Sequence, residues 1–79
     1  MHINEAVQKR ILEICDERDI SIYKLAQVSC ITQSTLNSLL NRNNSKTSIG
    51  TISKICNGLE ISLADFFTSE LFDSIEDEL

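Results

Sequence analysis

The sequence predicts an all-α domain in which five short helices share one small core. Its 79 residues include no proline and only two glycines. No stretch alternates polar and apolar residues for long enough to form a convincing strand. One short pattern also occurs three times, as ISIYKL at 20–25, ITQSTL at 31–36 and ISLADF at 61–66.

Each copy of this pattern is typical of a helix start. An isoleucine precedes a hydroxyl residue, and Leu or Phe follows four positions after that hydroxyl. The hydroxyl can accept a hydrogen bond from a free backbone N–H of the first turn, while the two apolar residues pack together across it. The pattern therefore predicts helices beginning at Ser21, Thr32 and Ser62.

Apolar spacing predicts a first helix ahead of these three. We expect Asn4 to cap it and the helix to end near Arg18 or Asp19. Its apolar residues recur at helical spacing, with the charged residues largely elsewhere: Ile3, Val7, Ile11, Ile14 and Cys15.

A fourth helix is expected to begin at Thr47 or Ser48. Glycine readily takes the left-handed backbone conformation that ends many helices, so we expect this helix to stop at Gly58. Its core residues should be Ile52, Ile55, Cys56 and Leu59. The last segment, SELFDSIEDEL, has apolar residues on one side and acids on the other, which predicts a short acidic helix or tail.

Charge is distributed unevenly along the chain. The formal net charge is −5, yet residues 20–58 contain no Asp or Glu and carry Lys24, Arg42, Lys46 and Lys54. Residues 59–79 contain seven acids and no base. The middle of the chain is therefore the part suited to approach an anion such as DNA.

Catalytic and metal chemistry are not expected. Cys15, Cys30 and Cys56 are odd in number and widely separated, which argues against a disulfide framework and a zinc site. His2 stands at a terminus without a second histidine. No nucleophile next to a base and no Gly-rich phosphate loop is found, so we expect neither an enzyme nor a bound cofactor or small-molecule ligand.

Hydropathy predicts a cytoplasmic protein. No run of 18 apolar residues could cross a membrane, and MHINEAVQKR lacks the charged, apolar and small-residue regions of a signal peptide.

The second and third helices are separated by only about residues 29–31, which is the spacing of a helix-turn-helix. Leu25, Ala26, Ile31, Leu36 and Leu39 are expected to form its internal seam, where the small Ala26 lets two helices cross closely.

The third helix should present an uncharged polar face. If Leu36, Leu39 and Leu40 face the core, a step of 100° per residue turns the following residues outward, with Gln33 at the exposed first turn: Ser34, Asn37, Ser38 and Asn41. Such side chains can pair with base edges in the major groove. An ordinary solvated surface is the alternative, although helices selected for stability alone favour Glu, Lys or Ala there.

ISIYKLAQVSCITQSTLNSLLN and TSIGTISKICNGLEISLADFF together resemble the lambda repressor-like, or Xre/Cro-type, helix-turn-helix family of transcriptional regulators. The resemblance covers roughly residues 8–67. It implies a compact five-helix DNA-binding domain at 1–67, followed by an acidic helix or tail at 68–79. It also implies a homodimer on double-stranded DNA with two half-sites, and we expect a repressor.

Three groups of contact residues are expected. Base contacts fall on Gln33, Ser34, Asn37 and Ser38, because this helix reads bases mainly with its N-terminal residues. Phosphate contacts fall on Tyr23, Lys24, Arg42, Asn43, Lys46, Thr47 and Ser48. Possible dimer contacts are Phe67, Leu71, Phe72 and Ile75, which could instead close the core.

The sequence departs from the family pattern at the turn. Cys30 stands where the family usually has glycine, so it must accept an unusual backbone angle or shift the turn. Ile22 stands where family members often carry a phosphate-binding Gln, and Arg42 stands near a position where they often carry glycine. The alternative function is a helix-turn-helix module that binds an antitoxin or regulator protein, with weak or no DNA binding.

Overall fold

The computed structural model describes residues 1–41 and 46–76, which form five α-helices, one 3₁₀ helix and no strand. The helices are α1 (Ile3–Arg18), α2 (Ile22–Ser29), α3 (Gln33–Asn41), α4 (Ile49–Leu59) and α5 (Leu63–Phe67), and the 3₁₀ helix is Glu70–Phe72. The predicted all-α class is confirmed. Among the described residues, no helix is both long and apolar enough to span a membrane.

The same kind of three-residue connector occurs three times, between α1 and α2, between α2 and α3, and between α4 and α5. Its first residue has a left-handed backbone conformation, with φ of 53° at Asp19, 56° at Cys30 and 59° at Glu60. An isoleucine follows, and its N–H donates to the carbonyl five residues earlier, at 3.0, 3.1 and 3.0 Å for Ile20, Ile31 and Ile61. These bonds satisfy carbonyls that the helix end would otherwise leave free.

The last residue of each connector caps the next helix. Ser21, Thr32 and Ser62 each accept a hydrogen bond from the N–H three residues later, at 3.0, 3.1 and 3.0 Å. The residues four positions after the cap, Leu25, Leu36 and Phe66, have no exposed surface. The three helix starts predicted from the repeated pattern are therefore confirmed, including the packing of the apolar partner.

Two predicted helix ends are wrong. Asn4 does not cap α1, because the Ala6 N–H already donates to the His2 carbonyl at 3.0 Å, which places Asn4 inside the first turn. Helix α4 does not stop at Gly58 but continues to Leu59, and Glu60 takes the left-handed conformation instead.

Gly58 is needed for a different reason, the close crossing of α2 and α4. A Cβ atom at Gly58 would lie 2.6 Å from the Val28 carbonyl oxygen and 2.9 Å from the Ser29 nitrogen. Neither backbone atom can move away without displacing α2. The two helices thus meet at backbone distance, and the buried Ala26 lies on the same short helix α2.

The core is one cluster contributed by all five helices. Its buried members are Val7, Ile11, Ile14, Cys15, Leu25, Ala26, Leu36, Leu39, Ile52, Ile55, Cys56, Leu59 and Phe66. The predicted seam of the helix-turn-helix lies within this cluster, and Ile31 and Leu40 pack against its edge.

Side chains of α1 bind the carboxyl ends of three other helices. Gln8 Nε2 donates to the Leu39 carbonyl of α3 at 2.7 Å, and Arg18 Nη1 donates to the Leu59 carbonyl of α4 at 2.8 Å. Arg10 donates to the Phe66 and Asp65 carbonyls of α5 at 2.7 and 2.9 Å. Cationic donors are favourable at a helix C-terminus, where the carbonyls are unpaired and the dipole is negative.

The two glycines should respond oppositely to an added methyl group. We expect Gly58→Ala to lower the free energy of unfolding by about 1–3 kcal/mol, because the new Cβ overlaps backbone atoms. Gly50→Ala is the matched control, since its Cβ would meet only Ser48 Oγ at 3.8 Å. Alanine favours a helix over glycine, so this variant should be equally stable or more stable by up to about 1 kcal/mol. Equal urea midpoints for the two variants would contradict the close crossing.

Candidate nucleic-acid interface

The polar face predicted for α3 is exposed. Gln33, Ser34, Asn37 and Ser38 are all exposed, while Leu36 and Leu39 on the opposite side are buried. The stretch from Ile20 to Gly58 contains no acid. This arrangement presents hydrogen-bond donors and acceptors without a negative charge that would repel phosphate.

The first turn of α3 is fixed by its own cap. Thr32 Oγ1 accepts from the Thr35 N–H at 3.1 Å and donates to Thr35 Oγ1 at 2.8 Å. Thr35 is therefore engaged in the cap. At the other end, Gln8 holds the Leu39 carbonyl. Helix α3 is thus capped at its start and tied to α1 near its end by hydrogen bonds.

An open cleft of about 370 Å³ separates α3 from the start of α4. Its lining residues are Ser34, Thr35, Ser38, Leu39, Lys46, Thr47, Ser48 and Thr51. Gln33 and Asn37 do not line it. The four predicted base-contact residues therefore divide into a serine pair beside the cleft and an amide pair on the other part of the exposed face.

The start of α4 supplies a second polar edge of the cleft. Ser48 Oγ accepts from the Thr51 N–H at 3.1 Å and lies 3.0 Å from Thr51 Oγ1. Lys46 is exposed, and Thr47 Oγ1 is buried with no hydrogen-bond partner among the described residues. Arg42 and Asn43, also predicted to contact phosphate, lie outside the described residues.

Two predicted phosphate contacts lie on α2. Tyr23 is 57% exposed, and its hydroxyl accepts a hydrogen bond from Gln27 Nε2 at 3.3 Å. Lys24 borders a different cleft, together with Arg18 and Glu60 near the carboxyl ends of α1 and α4. The structure therefore brings Lys46, Thr47 and Ser48 next to α3 but places Lys24 in another cleft.

The family model described as Cro/C1-type HTH DNA-binding domain matches residues 10–70. The chain belongs to this family. Comparison with curated proteins and with solved structures gives no match. The matched range begins within α1 and ends at the 3₁₀ helix, so it includes the turn, α3 and the cleft. The resemblance inferred from the sequence is confirmed, and families of this kind are typically non-enzymatic.

Two arginines of this Cro/C1-type domain have internal roles that the sequence reading missed. Arg10 and Arg18 bind the carboxyl ends of α5 and α4, and Arg10 also pairs with Glu13. Lys9 lies 3.8 Å from Glu5 on α1. The lysines without an ion pair in the described part of the chain are Lys24, Lys46 and Lys54. No local sequence signal separates these internal arginines from surface charges.

Ile49 is a second residue that sequence reasoning passed over. It is 63% exposed at the first position of α4, directly after the capping Ser48. Helical spacing places it at the edge of the apolar stripe formed by Ile52, Ile55 and Cys56.

The three cysteines of the domain have two kinds of environment. Cys15 and Cys56 are buried, and burial raises the pKa of both thiols because it disfavours the thiolate. Cys30 is exposed, and its backbone has the left-handed conformation, with φ 56° and ψ 39°. The unusual backbone angle predicted at the turn is confirmed. Among residues 1–41 and 46–76, no three His, Cys, Asp or Glu side chains are grouped to hold a metal ion.

The aromatic residues near the C-terminus form one cluster. The ring centroids of Phe67 and Phe72 lie 5.0 Å apart, and each ring also contacts the fully buried Phe66. The predicted dimer residues Phe67, Leu71, Phe72 and Ile75 are all half-buried, and Phe67 and Phe72 pack against the core.

The acidic segment after α5 lies against α1 and the N-terminus. Ser69 Oγ is 3.5 Å from Glu13 Oε1, and the Glu76 N–H donates to the Met1 carbonyl at 2.9 Å. The described acids of this segment therefore lie on the α1 side of the domain.

Replacing Cys30 by glycine should stabilise the domain. The left-handed conformation costs a residue with a Cβ atom about 1–2 kcal/mol, whereas glycine adopts it freely. Glycine also loses about 0.5–1 kcal/mol more backbone entropy on folding, so we expect a net gain of about 0.5–1 kcal/mol. Cys30→Ala is the control, because it removes the thiol but keeps the Cβ. A urea titration in which Cys30→Gly is no more stable than Cys30→Ala would show that the turn carries no such strain.

Proposed function

We propose that this chain is a sequence-specific transcriptional repressor that inserts α3 into the major groove of its operator. It binds as a homodimer on an inverted repeat. The observation that carries the proposal is the exposed, acid-free face of α3, whose short amide and hydroxyl side chains have the donors and acceptors that base edges require. Repression follows if the bound dimer blocks access of polymerase to the DNA that it covers.

The dimensions of α3 suit the groove. An α-helix with its side chains is about 10–12 Å in diameter, and the major groove is about 12 Å wide. Because Leu36 and Leu39 are buried and Gln8 holds the carboxyl end, the helix can enter the groove as part of a rigid body. Gln33, Ser34, Asn37 and Ser38 then face the bases.

Phosphate contacts on one flank of α3 would come from the start of α4. The positive end of the helix dipole and the free N–H groups of the first turn favour an anion there. Lys46, Thr47 and Ser48 lie at this end and share the cleft with α3. Tyr23, Lys24, Arg42 and Asn43 complete the set that we assign to phosphate.

Dimerisation is part of the proposal because one chain offers few cations. Residues 20–58 carry four bases, too few for tight binding by phosphate contacts alone. Two chains on an inverted repeat place their α3 helices about 34 Å apart, one turn of DNA. The half-buried Phe67, Leu71, Phe72 and Ile75 supply apolar surface for the dimer, on a segment whose acids must avoid phosphate.

Lys46→Gln tests the orientation of the domain on DNA. We expect it to weaken binding by a similar factor on all duplexes and to reduce the slope of log K against log [salt] by about 1 per chain, as for one lost phosphate contact. Lys9→Gln is the control, since Lys9 lies on α1 beside Glu5. Fluorescence anisotropy over a salt series measures both slopes.

An equal effect of both lysine variants would contradict the proposed orientation. Absence of duplex binding by the unaltered chain at low salt would instead favour the protein-interaction module.

A further inference from the structure

The amide pair on α3, Gln33 and Asn37, is separate from the rest of the proposed reading surface. Both side chains are exposed, and neither lines the cleft that holds Lys46 and the two serines. Residues four apart on a helix are neighbours on one face, about 6 Å apart along its axis. Base pairs in DNA repeat every 3.4 Å, so the two amides can reach neighbouring base pairs.

Adenine is the base that satisfies an amide completely. A Gln or Asn side chain offers one carbonyl acceptor and one NH₂ donor in a fixed geometry. The major-groove edge of adenine offers the complementary N6 donor and N7 acceptor. Guanine offers two acceptors, O6 and N7, so the amide carbonyl would face an acceptor and stay unpaired, which is costly in a desolvated interface.

Helix α3 contains no residue suited to a bidentate guanine contact, and Lys24 of α2 borders a different cleft. The commonest guanine contact is a bidentate Arg or Lys, and residues 25–41 include neither. Lys46 lines the same cleft as Ser34 and Ser38, and the amide pair does not line that cleft. Serine hydroxyls can donate or accept and therefore do not force a guanine.

We propose that Gln33 and Asn37 each read an adenine, so that neighbouring A·T pairs form the specific centre of each operator half-site. This inference rests on the proposed function and adds the class of sequence that the domain recognises. Direct readout of the major-groove edge, and not the shape of an A·T-rich minor groove, supplies the preference.

Selection of sites from random duplex DNA with the full chain, followed by base analogues, tests the inference. Inosine·cytosine presents the major-groove edge of a G·C pair and the minor-groove edge of an A·T pair. Diaminopurine·thymine does the reverse. We expect selection to enrich A·T pairs at the half-site centre. Inosine·cytosine at either pair should then weaken binding by about 5- to 150-fold, and diaminopurine·thymine should leave it unchanged.

Variants assign each base pair to its side chain. Asn37→Ala should abolish the response to inosine·cytosine at one pair and keep it at the other, and Gln33→Ala should do the opposite. Asn57→Ala is the matched control, because Asn57 is an exposed amide on α4 and should leave both responses intact. All of these variants change exposed side chains, so we expect the fold to be retained. Their unfolding midpoints check this.

Three results would overturn the inference while DNA binding itself persists. One is that the unaltered chain enriches G·C pairs at the half-site centre and that the Arg42→Gln variant no longer does. Another is sensitivity to diaminopurine together with tolerance of inosine, which marks minor-groove readout. The third is an unchanged analogue response in both amide variants. Failure to bind any duplex at low salt would refute the proposed function together with the inference.

Discussion

Left-handed backbone angles at Asp19, Cys30 and Glu60 determine how the helices of this domain follow one another. Each of these residues ends one helix, and the isoleucine after it closes the helix end with its backbone N–H while its side chain packs against the core. One residue thus joins the end of a helix to the core. Because the connector has only three residues, the direction of the second helix depends on the first. The orientation of α3 relative to the core is set in this way at Cys30, which makes the turn the constraint on which the reading surface depends.

Helix α1 completes the arrangement from the opposite side. Gln8, Arg10 and Arg18 reach carbonyls at the carboxyl ends of α3, α5 and α4, where backbone acceptors lack partners. Arg10 and Arg18 therefore have hydrogen-bond partners within the domain, although the side chain of Arg18 remains exposed. The remaining charge near α3 is small. In the proposed function, affinity therefore depends more on base contacts and on a second chain than it would in a strongly basic domain.

The helix starts in the repeated pattern were predictable from the sequence because their determinants are adjacent in the chain, whereas Asn4 proved to be the wrong cap for α1. Ser21, Thr32 and Ser62 were identified with their apolar partners, and periodicity correctly turned the polar face of α3 outward. Helix ends were harder, because the left-handed residues all carry side chains, and the one apparent signal, Gly58, reflects the close approach of Val28. The roles of Arg10 and Arg18 depend on partners 56 and 41 residues away. The division of the α3 face into amide and serine pairs likewise requires the position of α4, which no local pattern contains.

An NMR titration of the chain with a selected duplex tests the central claim most directly. If α3 enters the major groove, the side-chain NH₂ resonances of Gln33 and Asn37 and the backbone N–H resonances of Ile49 and Gly50 should show the largest shifts. Those of α1 should change little. The account would be contradicted if saturating duplex left the α3 side chains unperturbed and shifted mainly α1 and residues 69–76.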